Sequence, residues 1–191
     1  MASVTEICNR ALQKLGIKSI TSIDENSPGA KACKRCYETL RDLETMKHRW
    51  VHAIKRAELA ADAVDPTWGR EKQYTVPSDY LKNVAPYPEM DSPYRDWVVE
   101  NRKIVTNDAS PIYMRYVGRI TDPNEMDVTF REALSCKMAI EMNEELTQSN
   151  TKKSDLKDDY KDAIRDARKA SAIQNVPQES VEDTWISVRS V

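Results

Sequence analysis

Cys33 and Cys36, followed after eleven residues by His48 and, three residues further, by His52, form the pattern Cys-x2-Cys-x11-His-x3-His. That is close to the spacing with which a small zinc finger gathers two thiolates and two imidazoles around one ion. A finger needs a hairpin and a turn before its histidine-bearing helix, and the stretch "CYETLRDLETMKH" offers no Gly, Pro or Asn to make one. The apolar residues instead recur at helical steps, so Cys33 to Arg49 is expected as one helix. Fifteen residues at a rise of about 1.5 Å each hold Cys33 and His48 roughly 22 Å apart, whereas zinc bonds span about 2.0–2.3 Å. A thioredoxin-like reading of Cys33-x-x-Cys36 lacks the preceding strand, so the two thiols are expected as small core side chains. His48 and His52 could share a helical face, but no third ligand is in view. No metal and no cofactor are expected.

Carboxylates are the other candidates for chemistry. Asp79 in "VPSDYL" and Glu100 in "VVENRK" could serve a hydrolase if a cleft held them about 5–9.5 Å apart. An aspartate just after Pro77 is more simply a turn or capping residue. Gly16, Gly29, Gly69 and Gly118 stand too far apart for a phosphate-cradling loop.

These residues sit in a chain of 191 residues with 29 basic and 31 acidic side chains, a balance of −2 that gives no general attraction to phosphate backbones or anionic lipid. A nucleic-acid-binding module would need a local basic patch. No apolar run is long enough to cross a bilayer, and "MASVTEICNR" lacks the basic and apolar regions of a secretion signal, so a soluble protein made in the cytoplasm is expected. Four scattered cysteines (Cys8, Cys33, Cys36, Cys136) read as free thiols.

Four helices are expected, at about 3–15, 28–49, 129–148 and 154–174. Ser3 with Glu6, and Thr129 with Glu132, have the spacing of capping boxes, while Ser27-Pro28 suits the start of the second helix. On that helix Cys33, Cys36, Leu40, Leu43, Met46 and Trp50 form the expected apolar stripe. "WVHAIKRAELAADAV" fits helix or strand. Between about 74 and 120 prolines and short apolar runs predict β-structure, with a hairpin turning near Asn101 and a half-buried strand at "IYMRYV". The expected fold is mainly α: a four-helix bundle-like domain over 1–174 with a small β-region inserted between the second and third helices. An extended C-terminal tail, 175–191, carries Trp185, Ile186 and Val188, which need a partner to cover them.

Several stretches, in order, carry a resemblance. "EICNRALQKLG", "WVHAIKRAEL", "YTVPSDYLK", "YVGRITDPNEMDVTFREALSCKMAIEM" and "DTWISVR" resemble, over nearly the whole chain, the head-to-tail adaptor proteins of short-tailed bacteriophages, also called tail tubular protein A or head completion proteins. The chain departs from that pattern at Val51-His52, where an aromatic residue often follows the tryptophan. The resemblance implies a structural virion protein, not an enzyme. Copies would form a ring, a dodecamer matching the portal protein, at the head-tail junction, and would present a new face to the next tail component, a nozzle or tail tube protein. DNA would slide through without sequence-specific binding, and no membrane would be involved. Trp185, flanked by Ile186, Val188 and Arg189, is the expected anchor to the portal or a neighbouring subunit. The alternative is a tail-associated hydrolase of the cell-wall peptidoglycan using Asp79 or Glu100.

Overall fold

The computed structural model describes residues 2–84 and 97–174. Among the described residues the α-helices are α1 (Val4–Leu15), α2 (Pro28–Lys47), α3 (Val128–Leu146) and α4 (Asn150–Ile173), and six strands lie between α2 and α3. The strands are β1 (Ile54–Leu59), β2 (Lys72–Thr75), β3 (Tyr80–Val84), β4 (Trp97–Glu100), β5 (Lys103–Thr106) and β6 (Ile112–Gly118).

Local chemistry sets most helix ends. Ser3 Oγ accepts from the Glu6 amide at 3.1 Å, and Gly16, with φ of 75°, turns α1 off in the left-handed conformation that glycine adopts without a Cβ clash. Ser27 Oγ accepts from the Ala30 amide at 3.2 Å and Pro28 occupies the first turn of α2. The capping box expected from Thr129 and Glu132 does not form. Asp127 stands at the N-cap of α3 without a capping bond, because its carboxylate is engaged by His52, while Glu132 pairs with Arg10 and Lys14 of α1. Helix α4 starts at Asn150, four residues before the expected 154, because Ser149 caps it by accepting from the Lys152 amide at 3.3 Å.

Helix α3 is central. It buries Phe130, Ala133, Leu134, Cys136, Met138, Ala139, Ile140 and Met142 around most of its circumference, against α1, α2 and α4. Contacts from Cys33 to Met142 at one end and from Trp50 to Phe130 at the other make α2 antiparallel to α3. The short turn at 147–149 reverses the chain again, so α4 runs parallel to α2.

The expectation of a mainly α bundle with a small β insertion confined to about 74–120 is corrected here. The chain is mixed α/β, with six strands among the described residues in two antiparallel sheets of order β1-β6-β3 and β2-β5-β4. What was missed is β1, in the ambiguous "IKRAEL", whose short run only its pairing resolves: Ile54 to Leu59 lie opposite Val117 to Ile112. The β-structure also has its own core, formed by Leu59, Tyr74, Val76, Ile104, Ile112, Met114 and Tyr116 between the sheets. On β6, Ile112, Met114 and Tyr116 face that core, as the alternation of "IYMRYV" predicts, while Val117 joins Val84, Ala53 and Trp50 in the helical core. The first sheet is therefore the middle layer between helices and second sheet. The expected hairpin is present: β4 and β5 join through Asn101 and Arg102, with φ of 44° and 59°, as a two-residue turn of the primed type requires.

Candidate functional site

The structure separates the thiols from the imidazoles of the zinc-like pattern. Cys33, fully buried on α2, places its Sγ 3.6 Å from Met142 Sδ, and Cys36 directs its thiol to the Cys33 carbonyl at 3.6 Å. Hydrogen bonding to Cys33 and burial push the Cys8 thiol far up, and burial pushes Cys36 up to about 12. Cys8 and Cys36 therefore remain protonated at neutral pH, while the hydrogen bond with Cys8 lowers the Cys33 thiol against the opposing effect of burial, so what rules out a shared metal is the position of the thiols away from the imidazoles. All four cysteines are free.

His48 and His52 lie beyond the end of α2, on either side of Trp50. The Trp50 ring meets His48 edge-on at 4.9 Å, stacks on His52 at 6.0 Å and meets Phe130 of α3 edge-on at 5.0 Å. Trp50 Nε1 donates to the Glu44 carbonyl at 2.9 Å, which closes the last turn of α2 over the ring. His52 Nδ1 lies 3.0 Å from Asp127 Oδ2, so the carboxylate selects the tautomer with the proton on Nδ1. Its Nε2 is buried without a hydrogen-bond partner. Among the described residues no group of three or more His, Cys, Asp or Glu side chains could hold a metal ion.

Both imidazoles titrate below their ordinary value of 6.5. Burial is the main cause at His52, against an opposing pull from Asp127; at His48 burial is joined by the positive charges of Arg168, Arg49 and Lys82. The unfolded chain therefore binds more protons than the folded one as pH falls below 6.5. Stability should be full above that value and should decline as pH drops through the lower folded values. This window lies above that of Glu132, whose carboxylate is held below its ordinary 4.5 chiefly by the hydrogen bond from Arg10. Urea midpoints measured from pH 7.5 down to 5 should fall, and the fall should flatten in a His48→Gln/His52→Gln variant; an equal slope in both proteins would contradict the assignment.

The two hydrolase candidates belong to different sheets. Asp79 precedes β3, and its two carboxylate oxygens accept from Lys55 Nζ of β1 at 2.8 Å and from Tyr116 OH of β6 at 2.9 Å. Its carbonyl also accepts from the Arg119 amide at 2.7 Å. Burial opposes its ionisation, but the bonds from Lys55 and Tyr116 outweigh that and hold it below the ordinary carboxylate value. Asp79 thus ties three strands together. Gly118 completes the fit, because a Cβ there would lie 2.7 Å from Lys55 Cδ. Asp79→Asn should lower unfolding stability by about 1–2 kcal/mol, readable as a shifted urea midpoint; an unchanged midpoint would free Asp79 for another role. Glu100 is exposed at the end of β4.

The four expected anchor residues, Trp185, Ile186, Val188 and Arg189, lie outside the described residues. An exposed apolar pair that sequence reasoning missed is on α2. Leu43 and Met46, expected in the core, are 43% and 42% exposed, whereas Arg41, Glu44 and Thr45 are buried. The last turns of α2 are inverted, with polar residues inside and apolar ones outside. Glu44 accepts from Tyr160 OH of α4 at 2.7 Å and from Lys47 Nζ at 2.6 Å, and Thr45 Oγ1 donates to the Arg41 carbonyl at 2.7 Å. Arg41 lies over the Tyr37 ring and pairs with Asp42, which also binds Arg119. Two helical stripes are legible in this segment, one through Leu43 and Met46 and one through Tyr37, Leu40 and Glu44, and the second faces inward.

No helix among the described residues is long and apolar enough to cross a membrane. In comparisons with known proteins, no protein-family model matches this chain and no curated protein matches it.

Proposed function

We propose that this chain is a structural virion protein, a head-to-tail adaptor whose copies form a ring between the portal protein and the next tail component of a short-tailed bacteriophage. The ring, a dodecamer matching the portal, lengthens the channel through which DNA slides without sequence-specific binding. The protein is made in the host cytoplasm, works at the head-tail junction, and uses neither a cofactor nor a membrane.

The observation that carries this reading is the inverted end of α2. Leu43 and Met46 are about half exposed above a satisfied polar layer of Arg41, Glu44 and Thr45, so among the described residues this apolar pair is left partly uncovered. A second apolar element, the segment with Trp185, Ile186 and Val188, lies elsewhere in the chain. Two unlike contact surfaces on one subunit suit a heterologous, head-to-tail interface that closes into a ring. The near-balanced charge of −2 fits a channel wall that must not hold phosphates. The ordered set of sequence elements quoted above agrees with the same role.

Quantitative mass spectrometry of purified particles tests this reading. It should find one copy per portal subunit, and a chain absent from particles but active on peptidoglycan would replace the adaptor with the wall hydrolase.

A further inference from the structure

We infer that the exposed Leu43 and Met46 face of α2, together with the basic cluster beside it, receives the C-terminal segment 175–191 of a second copy of this chain. The inference rests on the ring reading only for its biological setting, since the contact needs no portal. Three observations lead to it.

The first is the burial pattern. Leu43 and Met46 are one helical turn apart on the same side of α2, and the residues that would ordinarily be exposed at its end, Arg41 and Glu44, are the ones inside. Turning the helix to hide the apolar pair would expose Tyr37 and Leu40, which are buried in the main core. The apolar pair is thus fixed outward by the packing of the rest of the helix, and an occupant gains by covering it.

The second is charge. His48 follows the apolar pair and feels the positive charges of Arg168 on α4, Arg49 and Lys82 on β3; Arg49, Lys82 and Arg168 are all exposed. Lys47 is exposed at the same end of α2. The segment 175–191 has Glu179, Glu182 and Asp183 directly ahead of Trp185-Ile186. An acidic run leading into an apolar pair is complementary to an apolar pair leading into a basic cluster. The adjacent apolar residues favour such a peptide over a phosphate backbone, which would engage the cations and leave Leu43 and Met46 uncovered.

The third is direction, and it selects a second copy over the chain's own tail. Tyr160 OH donates to Glu44 at 2.7 Å, and the Val51 amide donates to Ser171 Oγ at 3.2 Å. Helix α4 therefore advances alongside α2 and ends level with Val51, past the end of α2 at Lys47. The tail departs at a point already beyond Leu43 and Met46. Reaching them in its own chain would require residues 175–191 to reverse direction along α4, a reversal that reaching the same face of a second copy would not require.

The test uses the full chain without portal. Trp185 is replaced by the photo-crosslinker p-benzoylphenylalanine, and crosslinked products are sized by denaturing gel and mapped by mass spectrometry. The expected product is a dimer joined to the peptide that spans residues 41–49. Its yield should fall at least about tenfold in Leu43→Asp/Met46→Asp, whose circular dichroism and melting temperature should stay those of the parent because both side chains are exposed. Arg49→Glu/Arg168→Glu should also weaken it, and Glu182→Lys/Asp183→Lys in the crosslinker-bearing copy should restore it. Crosslinks confined within one chain, or mapping to another surface, would overturn the inference. So would salt-sensitive binding of a 20-base-pair duplex that is lost in the Arg49→Glu/Arg168→Glu variant while dimer crosslinking is unchanged, since the basic cluster would then belong to phosphate. Failure here with normal portal binding removes this contact and leaves the adaptor reading standing; crosslinking as expected without portal binding does the reverse.

Discussion

Trp50→Ala lowers the unfolding free energy by about 3–5 kcal/mol, the largest effect expected of any single substitution in the helical core. The side chain is 1% exposed, so its removal leaves a cavity walled by Phe130, His48 and His52. It also frees the Glu44 carbonyl that Nε1 holds at the end of α2. Neither loss can be repaired locally, because Phe130 is fixed at the first turn of α3 and His52 is held by Asp127. Urea unfolding followed by circular dichroism reads the change, and Trp50→Phe, which keeps the ring but not the N–H, should recover a large part of it. A Trp50→Ala protein that unfolds within about 1 kcal/mol of the parent would show that α2 and α3 do not depend on this contact for their junction.

Removal of residues 176–191 produces the largest expected effect on assembly. The described residues of the four helices and two sheets form two buried cores among themselves, so the shortened chain should keep its helicity and melt within a few degrees of the parent. Attachment to a portal ring or to a neighbouring subunit should weaken by at least about thirtyfold, the equivalent of one buried aromatic anchor at about 2 kcal/mol. Trp185→Ala should give most of that loss. Equal binding by the parent and shortened chains would sink the anchoring role of the segment.

The parts of the fold that were legible in the sequence are those whose determinants are local. Ser3, Ser27 and Gly16 mark helix ends through hydrogen bonds or backbone freedom within a few residues, and Asn101 marks a turn for the same reason. The alternation on β6 was legible because one face meets the inter-sheet core and the other does not. What was not legible depends on partners distant in sequence. "IKRAEL" becomes a strand because β6, some sixty residues on, supplies its ladder, and Asp127 abandons capping because His52 reaches it from across the fold. The same limit explains α2. Spacing alone allows Leu43 and Met46, or Arg41 and Glu44, to face inward, and the choice is made by the burial of Tyr37 and Leu40 in the main core, with Tyr160 of α4 donating its hydroxyl to the Glu44 that this turns inward. The sequence context of Asp79 fits a turn residue or a hydrolase carboxylate. The structure makes it a junction between β1, β3 and β6, which required knowing that Lys55 and Tyr116 converge on it.

The central claim, that this chain rings the portal, is tested most directly by mass photometry of the purified protein mixed with portal rings of the same phage. Intact protein should raise the mass of each ring by one copy of the 21.9 kDa chain per portal subunit, and Trp185→Ala should leave the rings at their starting mass. Portal rings that gain no mass from the intact protein would contradict the adaptor account.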